Sequence, residues 1–165
     1  MSWFGKKVIK SIAPLPVANA SVIKAMPIKP IDYPARVILA WSESIGGNRD
    51  ISKWLNENGY PELVIAASAI YLKNDARTWL VENGYPHLMA MIHAAEGDKK
   101  AQDWLKKYQF HLLYHMAMAI ENENDSWLWL KHNATPDIFI LTQKIKTVKD
   151  KIEENHNDIH SFGVD

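Results

Sequence analysis

The sequence predicts an all-α fold, an α-solenoid of stacked two-helix repeats with a longer C-terminal capping helix. Three observations carry this. The pair Trp-Leu recurs as Trp54-Leu55, Trp79-Leu80, Trp104-Leu105 and Trp129-Leu130, always 25 residues apart. Glycine and proline punctuate each unit at matching places, and apolar residues between them follow a helical rather than an alternating period. Self-similarity at a fixed short period is the mark of a repeat array.

Taken in order, residues 1–32 form a Pro-rich basic arm. It carries Lys6, Lys7, Lys10, Lys24 and Lys29 with no acidic residue before Asp32. Prolines at 14, 16, 27 and 30 prevent a long helix there. Residues 33–134 are the repeat domain, about four units long. Tyr33-Pro34 to Trp54 looks like an earlier partial copy, two residues longer, with Gly46-Gly47 as the expected place of the extra length.

Each unit divides into two short helices. Asn58-Gly59 and Asn83-Gly84 stop the Trp-Leu helix, because glycine takes the left-handed conformation after a helix end. Pro61, Pro86 and Pro136 then open the next helix, where a missing N–H costs nothing. In that helix Leu63, Ala66, Ala67 and Ile70 share one face, and Leu88, Met91, Ile92 and Ala95 repeat them, as do Leu113, Met116, Ala117 and Ile120. Ala69, Ala94 and Ala119 are small enough for neighbouring helices to approach closely. Asn74, Asp98 and Asn124 are the expected N-caps of the Trp-Leu helices. Helices this short cannot bury their faces alone, so the repeats must share a core, with the Trp series in it.

Residues 135–156 read as the capping helix. Thr135-Pro136-Asp137 is a helix start, and Ile138, Leu141, Ile145, Val148 and Ile152 make a narrow stripe at spacings of three and four. That stripe outruns what one short repeat can cover, which also admits a docking or dimerisation role. Residues 157–165 read as a frayed tail.

One resemblance attaches to residues 88–109, L-M-A-M-I-H-A-A-E-G-D-K-K-A-Q-D-W-L-K-K-Y-Q. They resemble the helix pair of an ankyrin repeat, with its Gly-Asp type turn at Gly97-Asp98. The ankyrin β-hairpin loop would be missing, and Tyr85-Pro86-His87-Leu88 is only an echo of the T-P-L-H signature. The resemblance implies a protein-binding solenoid without enzyme activity.

Composition narrows the function classes. A chain of 165 residues with 47% hydrophobic content forms one domain with a real core, not a disordered protein. Zero cysteines exclude a disulfide scaffold, thiol catalysis and sulfur-ligated zinc. With 19 basic and 19 acidic residues, nucleic acid is not the expected partner. No stretch approaches the ~20 apolar residues of a membrane span. Ala18-Asn19-Ala20 faintly suggests a secretory signal, but Lys10, Pro14 and Pro16 interrupt the apolar run it needs, so a cytoplasmic location is expected. Trp3, Phe4, Val8 and Ile12 could touch a membrane surface; an arm laid over the first repeat or a partner is the plainer expectation.

No phosphate loop, dinucleotide fingerprint or nucleophile elbow occurs. His111 and His115 lie four apart, with His87 or His93 one repeat away, yet H-L-L-Y-H lacks the Glu of a zincin helix. His156 and His160 repeat the spacing. Glu121, Glu123 and Asp125 crowd a turn, as solvated loop residues do. No cofactor, metal or catalytic residue is assigned. What varies between repeats is a set on the proline-started helix: Val64, Met89, Tyr114 and Phe139; Ile65, Ala90, His115 and Ile140; Ser68, His93, Met118 and Gln143. From these, Val64, Ser68, Met89, His93, Tyr114, His115 and Met118 are the candidate partner-binding surface, because repeat arrays vary where they touch a ligand. The expected function is a non-enzymatic protein-interaction or scaffold module. The alternatives are a structural subunit of a larger assembly held by its arm, and a His-based metalloprotein.

Overall fold

The 25-residue punctuation becomes helix and turn at nearly every place it predicts. The structure, a computed structural model, describes residues 32–161; expectations for residues 1–31 and 162–165 lie outside the described residues. Among the described residues there are helices and no strands: α1 (Ala35–Ile45), α2 (Arg49–Glu57), α3 (Pro61–Ile70), α4 (Asn74–Glu82), α5 (Pro86–Ala95), α6 (Lys99–Lys107), α7 (His111–Ile120), α8 (Asn124–Asn133) and α9 (Pro136–Ser161). None of them is long and apolar enough to cross a membrane.

The turns explain the period. Gly59, Gly84 and Gln109 follow the Trp-Leu helices in left-handed backbone, at φ 89°, 90° and 61°. The other turn places Gly47, Leu72, Gly97 and Asn122 in the same conformation, again every 25 residues. The third repeat therefore keeps its turn geometry although glycine is gone from position 109. Because Gly47 is in step with its counterparts, Gly46-Gly47 adds no length. The two extra residues lie instead around the start of α1, which is one residue longer than α3 and α5 and has Pro34 as its N-cap, where Pro61 and Pro86 are first helical residues.

Two N-cap expectations need correction. Asp98 caps α6, accepting from the Lys100 and Ala101 amides, and Asn48 caps α2 through the Ile51 amide. The corresponding positions of α4 and α8 hold Lys73 and Glu123, which make no side-chain cap. Asn74 and Asn124 are the first helical residues, one position too late to cap.

Helices α1, α3, α5 and α7 pack in succession as inner helices, and each outer helix (α2, α4, α6, α8) leans on its own inner helix and on the next. Helix α9 is a fifth inner helix. Its Ile138, Leu141, Thr142 and Ile145 occupy the register of Leu113, Met116, Ala117 and Ile120, and all are buried. Its packing extends past α8: it packs on α7 and returns to pack on α1, so the five inner helices close on themselves. Lys144 of α9 lies beside Gly46 at the end of α1, and Ile145 and Ile152 lie beside the C-terminal ends of α3 and α5. The helix then continues past the ends of its neighbours to Ser161, beyond the expected boundary at 156.

The core separates Leu from Trp. Leu55, Leu80, Leu105 and Leu130 are fully buried, but of the paired tryptophans only Trp104 is. Trp79 and Trp129 are half-buried and Trp54 is 38% exposed, so the Trp series is not uniformly core. Adjacent residues on a helix point about 100° apart. The leucine takes the direction of the inner helices, and Trp54, Trp79 and Trp104 stack instead on Tyr60, Tyr85 and Phe110.

Candidate interaction surface

The stripe expected at the surface faces the outer helices. Tyr114 lies under the Lys106 ammonium of the preceding outer helix, 5.5 Å from the ring centre. His115 stacks on Trp129 of its own outer helix at 4.1 Å and meets Tyr114 edge-on. Met89 is 1% exposed, which removes it from any docking face. Val64, Ser68, His93, Tyr114, His115 and Met118 are half-buried. The physical reason is that an inner helix of a two-layer array has two faces to bury.

His115 belongs to a hydrogen-bonded chain. The Ser126 hydroxyl donates to a Glu123 carboxylate oxygen at 2.6 Å and lies 3.0 Å from His115 Nδ1. With its proton committed to Glu123, Ser126 accepts from Nδ1–H, which leaves Nε2 as the basic nitrogen. Burial lowers the imidazole pKa, with Glu123 pulling the other way and His111 adding to the fall. Ser126 is itself buried, so its hydroxyl serves the helix pair and is out of reach of a substrate. His111 is exposed one turn away. Among the described residues, no three His, Asp or Glu side chains form a group that could hold a metal ion.

A second polar cluster is internal. Tyr33 donates to the buried Glu62 carboxylate at 2.6 Å. Burial, and then Glu62, raise the phenols of Tyr33 and Tyr85, the latter to about 12. One repeat later the Glu62 position holds His87, sandwiched between Tyr85 and Phe110 with neither ring nitrogen hydrogen-bonded. Burial drives its pKa down to about 3. The next repeat places Leu112 there, also buried.

A concave feature lies elsewhere, where α9 outruns its neighbours. Its second half passes over the C-terminal ends of α3 and α5 and leaves a cavity of about 190 Å³, open on one side. Ile70, Leu72, Ile92, Ala95, Ile145 and Ile152 form the apolar walls. Charge collects at the rim. The Arg77 guanidinium grips Glu96 with both terminal nitrogens and donates its Nε–H to the Ala69 carbonyl. Burial would raise the Glu96 carboxyl, but hydrogen bonds from His93 and Arg77 outweigh it and hold its pKa low. Lys149 bridges Glu121 and Glu153; burial pulls its ammonium down, and those two carboxylates more than restore it.

Sequence reasoning missed this groove, although Ile152 was already in the stripe of α9 and that stripe's excess length was its only trace. No protein-family model, curated protein or solved structure matches the chain.

Proposed function

We propose that the protein is a non-enzymatic interaction module that receives one large apolar side chain of a partner protein beneath the overhang of α9. The observation that carries this is the groove's size joined to its lining. A dry apolar cavity of roughly 150 Å³ accommodates benzene, so 190 Å³ matches a single aromatic or branched aliphatic side chain. Sites for whole metabolites or cofactors run to about 300–1,000 Å³. Apolar walls inside a rim of paired charges also follow the usual plan of an interface, a hydrophobic centre with a polar edge. Leu72, 45% exposed at the lip, is the side chain a partner would meet first.

The test is selection of displayed peptides on the full chain. Selected peptides should share one Trp, Phe or Leu anchor. Leu72→Glu and Ile152→Glu should each weaken them about tenfold or more, the worth of a buried anchor, with the far-UV melting curve retained. Peptides that bind both variants as tightly as the native chain would place the interaction elsewhere.

A further inference from the structure

Five inner helices that close on themselves make five seams, and the outer helices cover four of them. Helix α2 bridges α1 and α3, α4 bridges α3 and α5, α6 bridges α5 and α7, and α8 bridges α7 and α9. Nothing described bridges α9 and α1, although these two pack closely.

The side chains along this seam differ from their counterparts at the other four. On α7, Tyr114 meets the preceding outer helix through Lys106, and His115 meets its own through Trp129 and Ser126. On α9 the counterpart of Tyr114 is Phe139, which packs on Trp127 of the preceding outer helix at 5.2 Å. The counterpart of His115 is Ile140, which no outer helix follows among the described residues, and it is 45% exposed. On α1 the counterpart of Tyr114 is Leu39, which no outer helix precedes among the described residues, and it is 40% exposed. Its neighbour Ala40 faces α2 and is partly buried. The two exposed residues are the two that the repeat logic leaves without a cover.

We propose that residues 3–12 of this same chain lie in that seam as a fifth outer helix. The outer helices are 9 or 10 residues long. Of the two longer proline-free stretches preceding α1, residues 1–13 and 17–26, the first has the charged face of an outer helix, with three lysines against one. Within it Phe4, Val8 and Ile12 repeat every fourth position, with Trp3 beside Phe4 and with Lys6, Lys7 and Lys10 turned away from that stripe. Direction and reach agree as well. Each outer helix ends close to where the next inner helix begins, so a helix seated here in the same sense ends near the start of α1. Residues 13–31, at up to roughly 3.3 Å each, span that distance with slack to spare.

The absence of cysteine makes the test direct. A nitroxide is attached to Lys10→Cys, off the packing stripe, in the full chain, and amide signals are read by NMR. Loss of the Leu39, Ala40, Ile140 and Gln143 signals, with those of α4 and α6 intact, is the expected result. Adding Phe4→Asp and Ile12→Asp to the labelled chain should restore them. Unchanged seam signals, or uniform loss over all helices, would overturn the proposal. So would seam signals lost only when labelled and isotope-enriched chains are different molecules, which would make a second copy the occupant.

Discussion

Helices α5 and α9 carry the same inner-helix register and are held in opposite ways. Helix α5 is buried on nearly every side, from His87 to Ala95, with α3 and α7 as flanks and α4 and α6 outside. Helix α9 has that environment only over its first half. Its stripe is closed at Ile138, Leu141, Ile145 and Val148, then opens at Ile152. One half of α9 is core and the other is a roof over a groove. The difference teaches that a repeat register fixes which face is apolar, and that the neighbours decide whether the face becomes core or site.

The largest test of this comparison is to delete the same register position in both helices. Met91→Ala and Leu141→Ala should each cost about 2–5 kcal/mol in denaturant unfolding, because both side chains are essentially fully buried. A cost below about 1 kcal/mol for Leu141→Ala alone would mean that α9 is not a member of the closed set.

Next comes acid, which should act through α5. His87 has a folded pKa of about 3 against an unfolded value near 6.5, so the unfolded chain binds the proton first. Stability is complete above that unfolded value and drains as the pH falls toward 3. Between pH 7 and pH 5 the loss from this residue should be about 2 kcal/mol. His87→Leu, which copies Leu112, should flatten that slope in melts run across the range. An unchanged slope would show that His87 reaches solvent.

Smaller effects sit at the helix starts that the α5–α6 hairpin satisfies and its predecessor does not. Asp98→Ala should cost about 1 kcal/mol, and Lys73→Asp should return up to about that much to α4. Unchanged stability in Asp98→Ala would mean that the cap at α6 contributes nothing. Smallest of all, Ile152→Ala should change stability by about 1 kcal/mol or less, since its side chain is only partly covered. A larger loss would make the roof a part of the core.

Much of this could be read before any coordinates. The 25-residue period, the proline starts at 61, 86 and 136, the glycine stops and the α9 stripe are local rules, and local rules survive folding. The capping residues at Lys73 and Glu123 escaped because side-chain preference favoured the asparagines one position later. Met89 was misplaced because an inner helix has a second buried face that a single stripe does not reveal. The groove was invisible for a different reason. It depends on how far each hairpin rotates against the last, and that small angle, summed over the array, belongs to no residue in particular.

The return of α9 to α1 has a consequence for how this chain can change. An open array gains or loses a unit at its ends and remains an array, since each unit answers only to its neighbours. Here a duplicated hairpin would carry α9 past α1, and a deleted one would leave it short, so copy number is fixed by closure. The same contact joins segments about a hundred positions apart, and ordering the intervening chain before that contact forms is slow. Folding should therefore finish at the join between the first helix and the last, binding what would otherwise be four loosely coupled units into one all-or-none transition.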